Sequence, residues 1–426
     1  MFLQIIIVIS SLVAFSHARN GNGQGHTRTC IIPSKYESSN GTADDSPAIA
    51  AAFAKCSSNS IVEFKKGVDY NVFKPISAKN LSNVVIRQEG NLHLPQNITY
   101  IQDLVTTSNS LTYTTALYWF AFAGPKIQYK GSKDVTTGWI NSYGQAWWDA
   151  NPVNGTGLAS RPHLLQLNTT KWGIIDSFST SGGFPFNTDG FGVTATNVHI
   201  SDPIIYNGDD ACAVQSGSHN VLFEKATIGY QSHGLSIGSL GQNQASFANV
   251  SNIHFRDVTV VDAVYAARFK SWIGGQGIAK NITWENIRVY NVTFPIFVTQ
   301  TYYNQGSNAT QLEPGQITGR PNNASVNMED FTWKNFRGTV NTFEPGDGTC
   351  VTDPCWYNAG LPNLQQTETI IIECNTQNSC KNFNLVDIEI YPQDYRSPSV
   401  ICINATSALN PGLGIDCVNG TFVPLG

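Results

Sequence analysis

Asn187-Thr188-Asp189-Gly190, Gly208-Asp209-Asp210, Ser232-His233-Gly234 and Arg268-Phe269-Lys270 follow one another at near-regular intervals along the stretch 187–270. Asp209 lies 20 residues after Asp189, and His233 lies 23 after Asp210. A period of twenty-odd residues is what one turn of a β-solenoid requires, and residues one turn apart then stack about 4.7–4.9 Å from each other. Three carboxylates and a histidine are thereby brought into one patch.

Outward from this stretch, short runs rich in Val, Ile, Thr, Phe and Tyr alternate with Asn, Gly, Ser and Asp. Many runs open on an asparagine: Asn83-Val84-Val85-Ile86, Asn197-Val198-His199-Ile200, Asn220-Val221-Leu222-Phe223, Asn252-Ile253-His254-Phe255 and Asn281-Ile282-Thr283-Trp284. An asparagine at the bend of each coil tolerates a left-handed backbone and stacks its amide on the next coil, while the residues after it fill the tube. The expected fold is all-β, a single-stranded right-handed parallel β-helix. An antiparallel sandwich or propeller also has short strands, but it leaves polar clusters one coil apart unexplained. Asp44-Asp45-Ser46-Pro47 followed by 48–55 carries the caps, the first-turn proline and the helix formers of a helix start. It is the one helix expected, a short N-terminal cap over the open end of the tube, where core and strand edges need cover.

The chain has 426 residues, 41% apolar and 13% charged, with a net charge of -5. That is enough to bury a large core, and it offers no basic face for phosphates, which argues against nucleic acid as a partner. Met1 to Ala18 reads as a secretory signal, with an apolar run from Ile5 to Phe15 and small residues at Ser16 and Ala18, although no basic residue precedes the run. The run is too short to span a membrane. Residues 19–426 show no compositional break and are expected to form one catalytic domain, extracellular and monomeric. N-glycosylation sequons at Asn40, Asn80, Asn97, Asn154, Asn168, Asn249, Asn281, Asn291, Asn308, Asn323, Asn404 and Asn419 agree with a secretory route. So do nine cysteines lying mostly in close pairs near the chain ends, with no zinc-type Cys-x-x-Cys arrangement.

The four clusters, in this order, resemble those of the pectin-cleaving polygalacturonase family, glycoside hydrolase family 28. The resemblance implies hydrolysis of galacturonosyl bonds in pectin or polygalacturonate, with inversion and without a metal or cofactor. It implies Asp209 as general acid, Asp189 and Asp210 holding and deprotonating the water, and Asn187 binding or orienting nearby. Glycoside cleavage needs one protonated and one ionised carboxyl, separated by roughly 6.5–9.5 Å when water attacks directly. Crowded carboxylates repel, which raises the proton affinity of at least one. His233 is placed to hydrogen-bond the acid. Arg268 and Lys270 alternate along a strand, share a face and can bind the carboxylate of a galacturonate unit. Tyr302 resembles the family's tyrosine that shapes the substrate site.

Each residue also has a plainer reading: Asp-Asp as a solvated turn, His233 as a satisfied histidine, Arg268 and Lys270 as a solvated face. Three aspartates can also cage calcium, against which the two adjacent cations argue. Since adjacent strand residues point to opposite faces, Asp209 and Asp210 share a cleft only if the chain bends, as Gly208 permits.

The chain departs from the family pattern in three places. Gly192 stands where an acidic residue is usual. Ala211 follows Asp210 where a cysteine is usual, and Gly229 and Tyr230 stand where its bridge partner belongs, which leaves Cys212 as a buried thiol and eight cysteines for four bridges. The run 172–187 is too short for the coil usual there, and its loss would break the stack beneath Asp189. The surroundings of the clusters look most like the exo-acting branch, in which a loop closes one end of the cleft, and the stretch 300–328 is placed to do so. The alternatives are a rhamnogalacturonan hydrolase or α-L-rhamnosidase of the same family, an endo-polygalacturonase, or a catalytically impaired pectin-binding β-helix.

Overall fold

The computed structural model describes residues 28–107, 117–134, 136–150, 162–168, 173–176, 179–180, 189–302, 324–342, 364–415, 417 and 422–424. The expected signal segment and Asn187 lie outside them, as do the sequons at Asn154, Asn308, Asn323 and Asn419. So does most of the stretch 300–328 read as a cleft-closing insertion.

Parallel strands dominate, stacked coil upon coil into a parallel β-helix. The longest ladder runs from Arg28–Ile31 through Ser58–Phe64, Ser82–Gln88, Ile127–Lys130, Gly173–Asp176, Thr196–Ser201 and His219–Glu224 to Ala248–Val261, and then through Gly277–Val292 and Val326–Val340 to Cys380–Pro392. A second ladder stacks Phe191–Val193, Cys212–Val214, Leu235–Leu240, Tyr265–Trp272, Phe294–Tyr302, Glu368–Glu373 and Ser399–Ile403. Among the described pairings, only Phe422–Pro424 joins in antiparallel fashion. The break expected beneath Asp189 falls largely outside the described residues. Where the chain is described, Gly173–Asp176 pairs with Ile127–Lys130 below and Thr196–Ser201 above, so the long ladder runs through without interruption.

The asparagine reading holds in detail. Asn83, Asn197, Asn220, Asn252 and Asn281 all have φ between 55° and 61°. Four of these amides reach the coil below: Asn83 Nδ2 donates to Asn59 Oδ1 at 2.9 Å, Asn220 to Asn197 at 3.0 Å, Asn252 to Asn220 at 3.0 Å and Asn281 to Asn252 at 2.8 Å. The residues that follow them point inward, and Phe223, Phe255, Trp284 and Trp333 are buried in an aromatic column with successive ring centroids 6.1, 5.7 and 5.5 Å apart.

Helix α1, Ser46–Lys55, forms where expected and buries Ile49 and Phe53. Its cap differs from expectation. Asp44 Oδ1 accepts from Ser46 N at 2.9 Å, whereas the Asp45 carboxylate ties Lys35 N at 2.8 Å and Asn71 N at 3.1 Å. Two further helices correct the single-helix reading: α2, Ile98–Thr107, and α3, Gly144–Asp149. Helix α2 is rich in β-branched residues, which hid it from propensity, but Asn97 Oδ1 caps it by accepting from Tyr100 N at 3.0 Å.

Disulfides join Cys30 to Cys56, Cys374 to Cys380 and Cys402 to Cys417. Cys350 and Cys355 lie outside the described residues. Cys212 is buried and free, as its sequence context implies.

Candidate active site

Asp209 and Asp210 lie on the turn between strands Ile204–Tyr206 and Cys212–Val214, not within a strand. This resolves the problem of two adjacent side chains needing one face, and it does so without a left-handed backbone at Gly208. One coil below, Gly190 N donates to Asp210 O at 2.9 Å, which sets Asp189 under Asp210. A Cβ at position 190 would lie 2.6 Å from Ala211 O, so the close approach of the two turns requires glycine there. One coil above, His233 N donates to Asp209 O at 2.8 Å and Ser232 Oγ donates to the same oxygen at 3.0 Å. Gly234, at φ 68°, then swings the chain into Leu235–Leu240, and a Cβ there would strike Tyr265 O at 2.3 Å.

The side chains converge. His233 Nδ1 lies 3.0 Å from Asp209 Oδ1, and Asp210 N donates to that same oxygen at 2.8 Å. Asp210, 2% exposed, is held from the second ladder. Lys270 Nζ donates to its Oδ2 at 2.9 Å, Ser236 Oγ to its Oδ1 at 2.5 Å, and the Arg268 guanidinium to Oδ1 as well. Asn207 Nδ2 fixes the turn by donating to Asp210 O at 2.9 Å. Arg268, 1% exposed, also donates Nε to Ser236 Oγ at 2.9 Å and lies with Cζ 4.5 Å from the Tyr265 ring centroid. Lys270 Nζ is 5.5 Å from the Tyr302 ring centroid, and Tyr302 packs edge-on against Trp272. The structure thus brings together Asp189, Asp209, Asp210, His233, Arg268, Lys270 and Tyr302, while Asn187 lies outside the described residues. Sequence reading missed Ser236, Asn207 and Tyr265. Ser236 was within reach of it, because it stands in register with Arg268 one coil on.

The electrostatics separate the carboxyls. Burial lifts the Asp189 carboxyl well above its ordinary value, and the charges of Asp209 and Asp210 lift it further. Burial would also lift Asp209, but the His233 imidazole, by charge and by hydrogen bond, and then Lys270 and Arg268, hold it well below the usual carboxylate range. Of these two carboxyls, Asp189 therefore holds a proton more readily. Beneath them, burial pushes the Cys212 thiol up, followed by the charges of Asp210 and Asp189.

Asp209, Asp210 and His233 offer donor atoms within 4.8 Å of one another, a spacing that a metal also accepts. Both Asp210 oxygens already face cations, so an ion there would have to displace Lys270 and Arg268.

A family model described as glycosyl hydrolases family 28 matches residues 173–356. The chain is 56% identical over 428 residues to "Probable exopolygalacturonase C" of Aspergillus terreus, covering 94% of each chain. It is 54% identical to the protein of the same name in Aspergillus niger, covering 94% of this chain and 93% of that one. Among solved structures it resembles the endo-xylogalacturonan hydrolase from Aspergillus tubingensis, with TM-score 0.66 and 19% identity over 92% of this chain and 99% of that one, a likeness of fold. Identity at this level across nearly the whole length, together with the family match over the coils that carry the carboxylates, makes the chain a member of glycosyl hydrolases family 28.

Proposed function

We propose that the chain is an exo-polygalacturonase that hydrolyses α-1,4 galacturonosyl bonds of pectin or polygalacturonate with inversion. The observation that carries this reading is the cluster itself, in which three carboxyls and a histidine from successive coils meet Lys270, a buried cation suited to an acidic sugar, with Arg268 bracing Asp210 beside it. Relatives named exopolygalacturonase support the exo assignment.

In this reading the reactive form has Asp189 ionised and the acid proton on the Asp209–His233 pair: water attacks the anomeric carbon, its proton passes to Asp189, and the glycosidic bond breaks as Asp209 delivers the pair's proton to the leaving oxygen. The raised proton affinity of Asp189 makes its ionised form a stronger base. Asp209 is drawn toward its ionised form, so the proton it gives is held jointly with His233 across the 3.0 Å contact. Asp210 positions the water from its clamp of Ser236, Arg268 and Lys270. Arg268 is enclosed beneath Tyr265, and the substrate carboxylate is assigned to Lys270 beside Tyr302. Asn187 orients the substrate nearby. No metal or cofactor takes part.

The proposal extends to the whole chain: residues 1–18 as a cleaved signal, 19–426 as one right-handed β-helix with α1 capping its N-terminal end, and the mature protein as an extracellular monomer. No helix among the described residues is long and apolar enough to cross a membrane.

The test is the product pattern over time on polygalacturonate, with Asp209→Asn alongside. Galacturonate monomer from the first time point, and at least a hundredfold loss in Asp209→Asn, is the expected result, since general acid catalysis contributes about 10²–10⁴-fold. A ladder of oligomers would make the enzyme endo-acting. Release of rhamnose alone from rhamnogalacturonan would refute the substrate, and equal, near-background hydrolysis by both proteins would leave a pectin-binding β-helix.

A further inference from the structure

Tyr206 and Tyr230 stand on successive coils, each ahead of a turn that carries the site. Tyr206 leads into Asn207–Asp210, and Tyr230 leads into Ser232–His233. Their ring centroids are 5.1 Å apart with the planes tilted by 49°, and Tyr230 is 56% exposed. Tyr206 pairs in register with Gly229 on the next coil. A Cβ at position 229 would come within 3.2 Å of the Tyr206 ring, so glycine there gives that ring a flat seat. Gly229 and Tyr230 occupy the place where the family resemblance leads one to expect a bridging cysteine, and in this chain the place is given to an open aromatic surface.

The pair lies where the chain enters the two turns, whereas Ser236, Arg268 and Lys270 lie on the strands that leave them. A uronide chain with one carboxylate at Lys270 that runs back across the carboxylates of the turn, toward the strands that enter it, would meet the two tyrosines. A galacto-configured pyranose has an apolar face of C–H bonds on one side of its ring, which matches a neutral aromatic surface. A phenol ring also adds no charge that would repel a uronate.

We propose that Tyr206 and Tyr230 form a stacking subsite for the uronosyl unit on the Asp209–His233 side of the scissile bond. The inference rests on the polygalacturonase reading given above. Stacking that is equal in ground and transition states raises affinity without changing turnover.

Steady-state kinetics on polygalacturonate of the wild type, Tyr230→Ala, Tyr230→Phe and Tyr395→Ala test it. Tyr395 is a tyrosine 98% exposed that flanks neither turn. Tyr230→Ala is expected to raise KM about fivefold with kcat unchanged. Tyr230→Phe, which keeps the ring, and Tyr395→Ala should both match the wild type. An unchanged KM in Tyr230→Ala, in an enzyme that does turn over polygalacturonate, would overturn the subsite alone. Failure of Tyr230→Phe to restore KM would also overturn it, by showing that the hydroxyl and not the ring matters. No turnover by the wild type would refute the polygalacturonase reading and the subsite with it.

Discussion

Asp189 and Asp209 carry the same functional group and differ only in what surrounds it. Asp189 is half-buried and faces two carboxylates, whereas Asp209 is clasped by His233 within reach of Lys270 and Arg268. The consequence for stability has a definite sign. Because folding raises the proton affinity of Asp189, the stability it supplies is complete below the unfolded carboxyl pKa of about 3.9 and is lost as pH rises through the folded value. Asparagine keeps the shape and removes the charge. Asp189→Asn should therefore unfold like the wild type at the acid end and be more stable at neutral pH, by about 1.4 kcal/mol for each unit by which folding raises that pKa. Denaturant midpoints measured against pH would show the two curves diverging as pH rises, and curves that coincide at neutral pH would mean Asp189 is not crowded. Asp209 has the opposite sign and loses stability as pH falls. These residues were legible because their type and spacing coincide. The direction of each shift was not, because it depends on which neighbour closes first around each carboxyl: the turn at 207–211 gives Asp209 to His233 and Asp210 to the cations.

At the scale of the element, one device recurs: a single residue in the left-handed region turns the strand without breaking the ladder. Asp257, Asn286, Asn335 and Asp387 have φ between 54° and 58° inside the long strands Ala248–Val261, Gly277–Val292, Val326–Val340 and Cys380–Pro392. Asn286 Nδ2 donates to Asp257 Oδ1 and Asn335 to Asn286 Oδ1, each at 2.8 Å, a second ladder parallel to the first. Asn252 sits within the first ladder, giving to Asn220 and receiving from Asn281. Asn252→Gly loses both bonds but keeps the backbone conformation, and should cost about 1–3 kcal/mol. Asn252→Val adds the strain of a β-branched residue at positive φ, about 1–3 kcal/mol more. Urea unfolding separates the two, and equal losses would show that the left-handed conformation is not maintained. The first ladder was legible because each of its asparagines opens an apolar run. The second was hidden because Asp257 and Asn286 sit inside runs, where no turn cluster marks a corner. The ladders also bear on glycosylation: Asn281 and Asn291 give their Nδ2 to neighbouring coils, so attachment at that nitrogen competes with the stacking.

Across the whole molecule the coils are coupled chiefly to their immediate neighbours, as in any solenoid, so damage should travel a short distance and its effect on activity should depend on where it starts. The column Phe223–Phe255–Trp284–Trp333 runs through the core beneath the site coils, and Trp284 Nε1 donates to Leu235 O at 3.3 Å, on the strand that carries Ser236. Phe53 of α1 packs against Phe122, with ring centroids 4.8 Å apart, several coils before Asp189. Both side chains are fully buried, so Trp284→Ala and Phe53→Ala should each cost about 3–5 kcal/mol through the cavity left behind. Their catalytic effects should part. Measured well below the unfolding transition, Trp284→Ala should lose kcat, because the strand holding Ser236 and, through it, Asp210 loses its backing. Phe53→Ala should keep kcat while its N-terminal coils exchange amide hydrogens faster. If the two variants lost kcat equally, coupling would run the length of the tube, and the nearest-neighbour account of how this fold holds its carboxylates would be wrong.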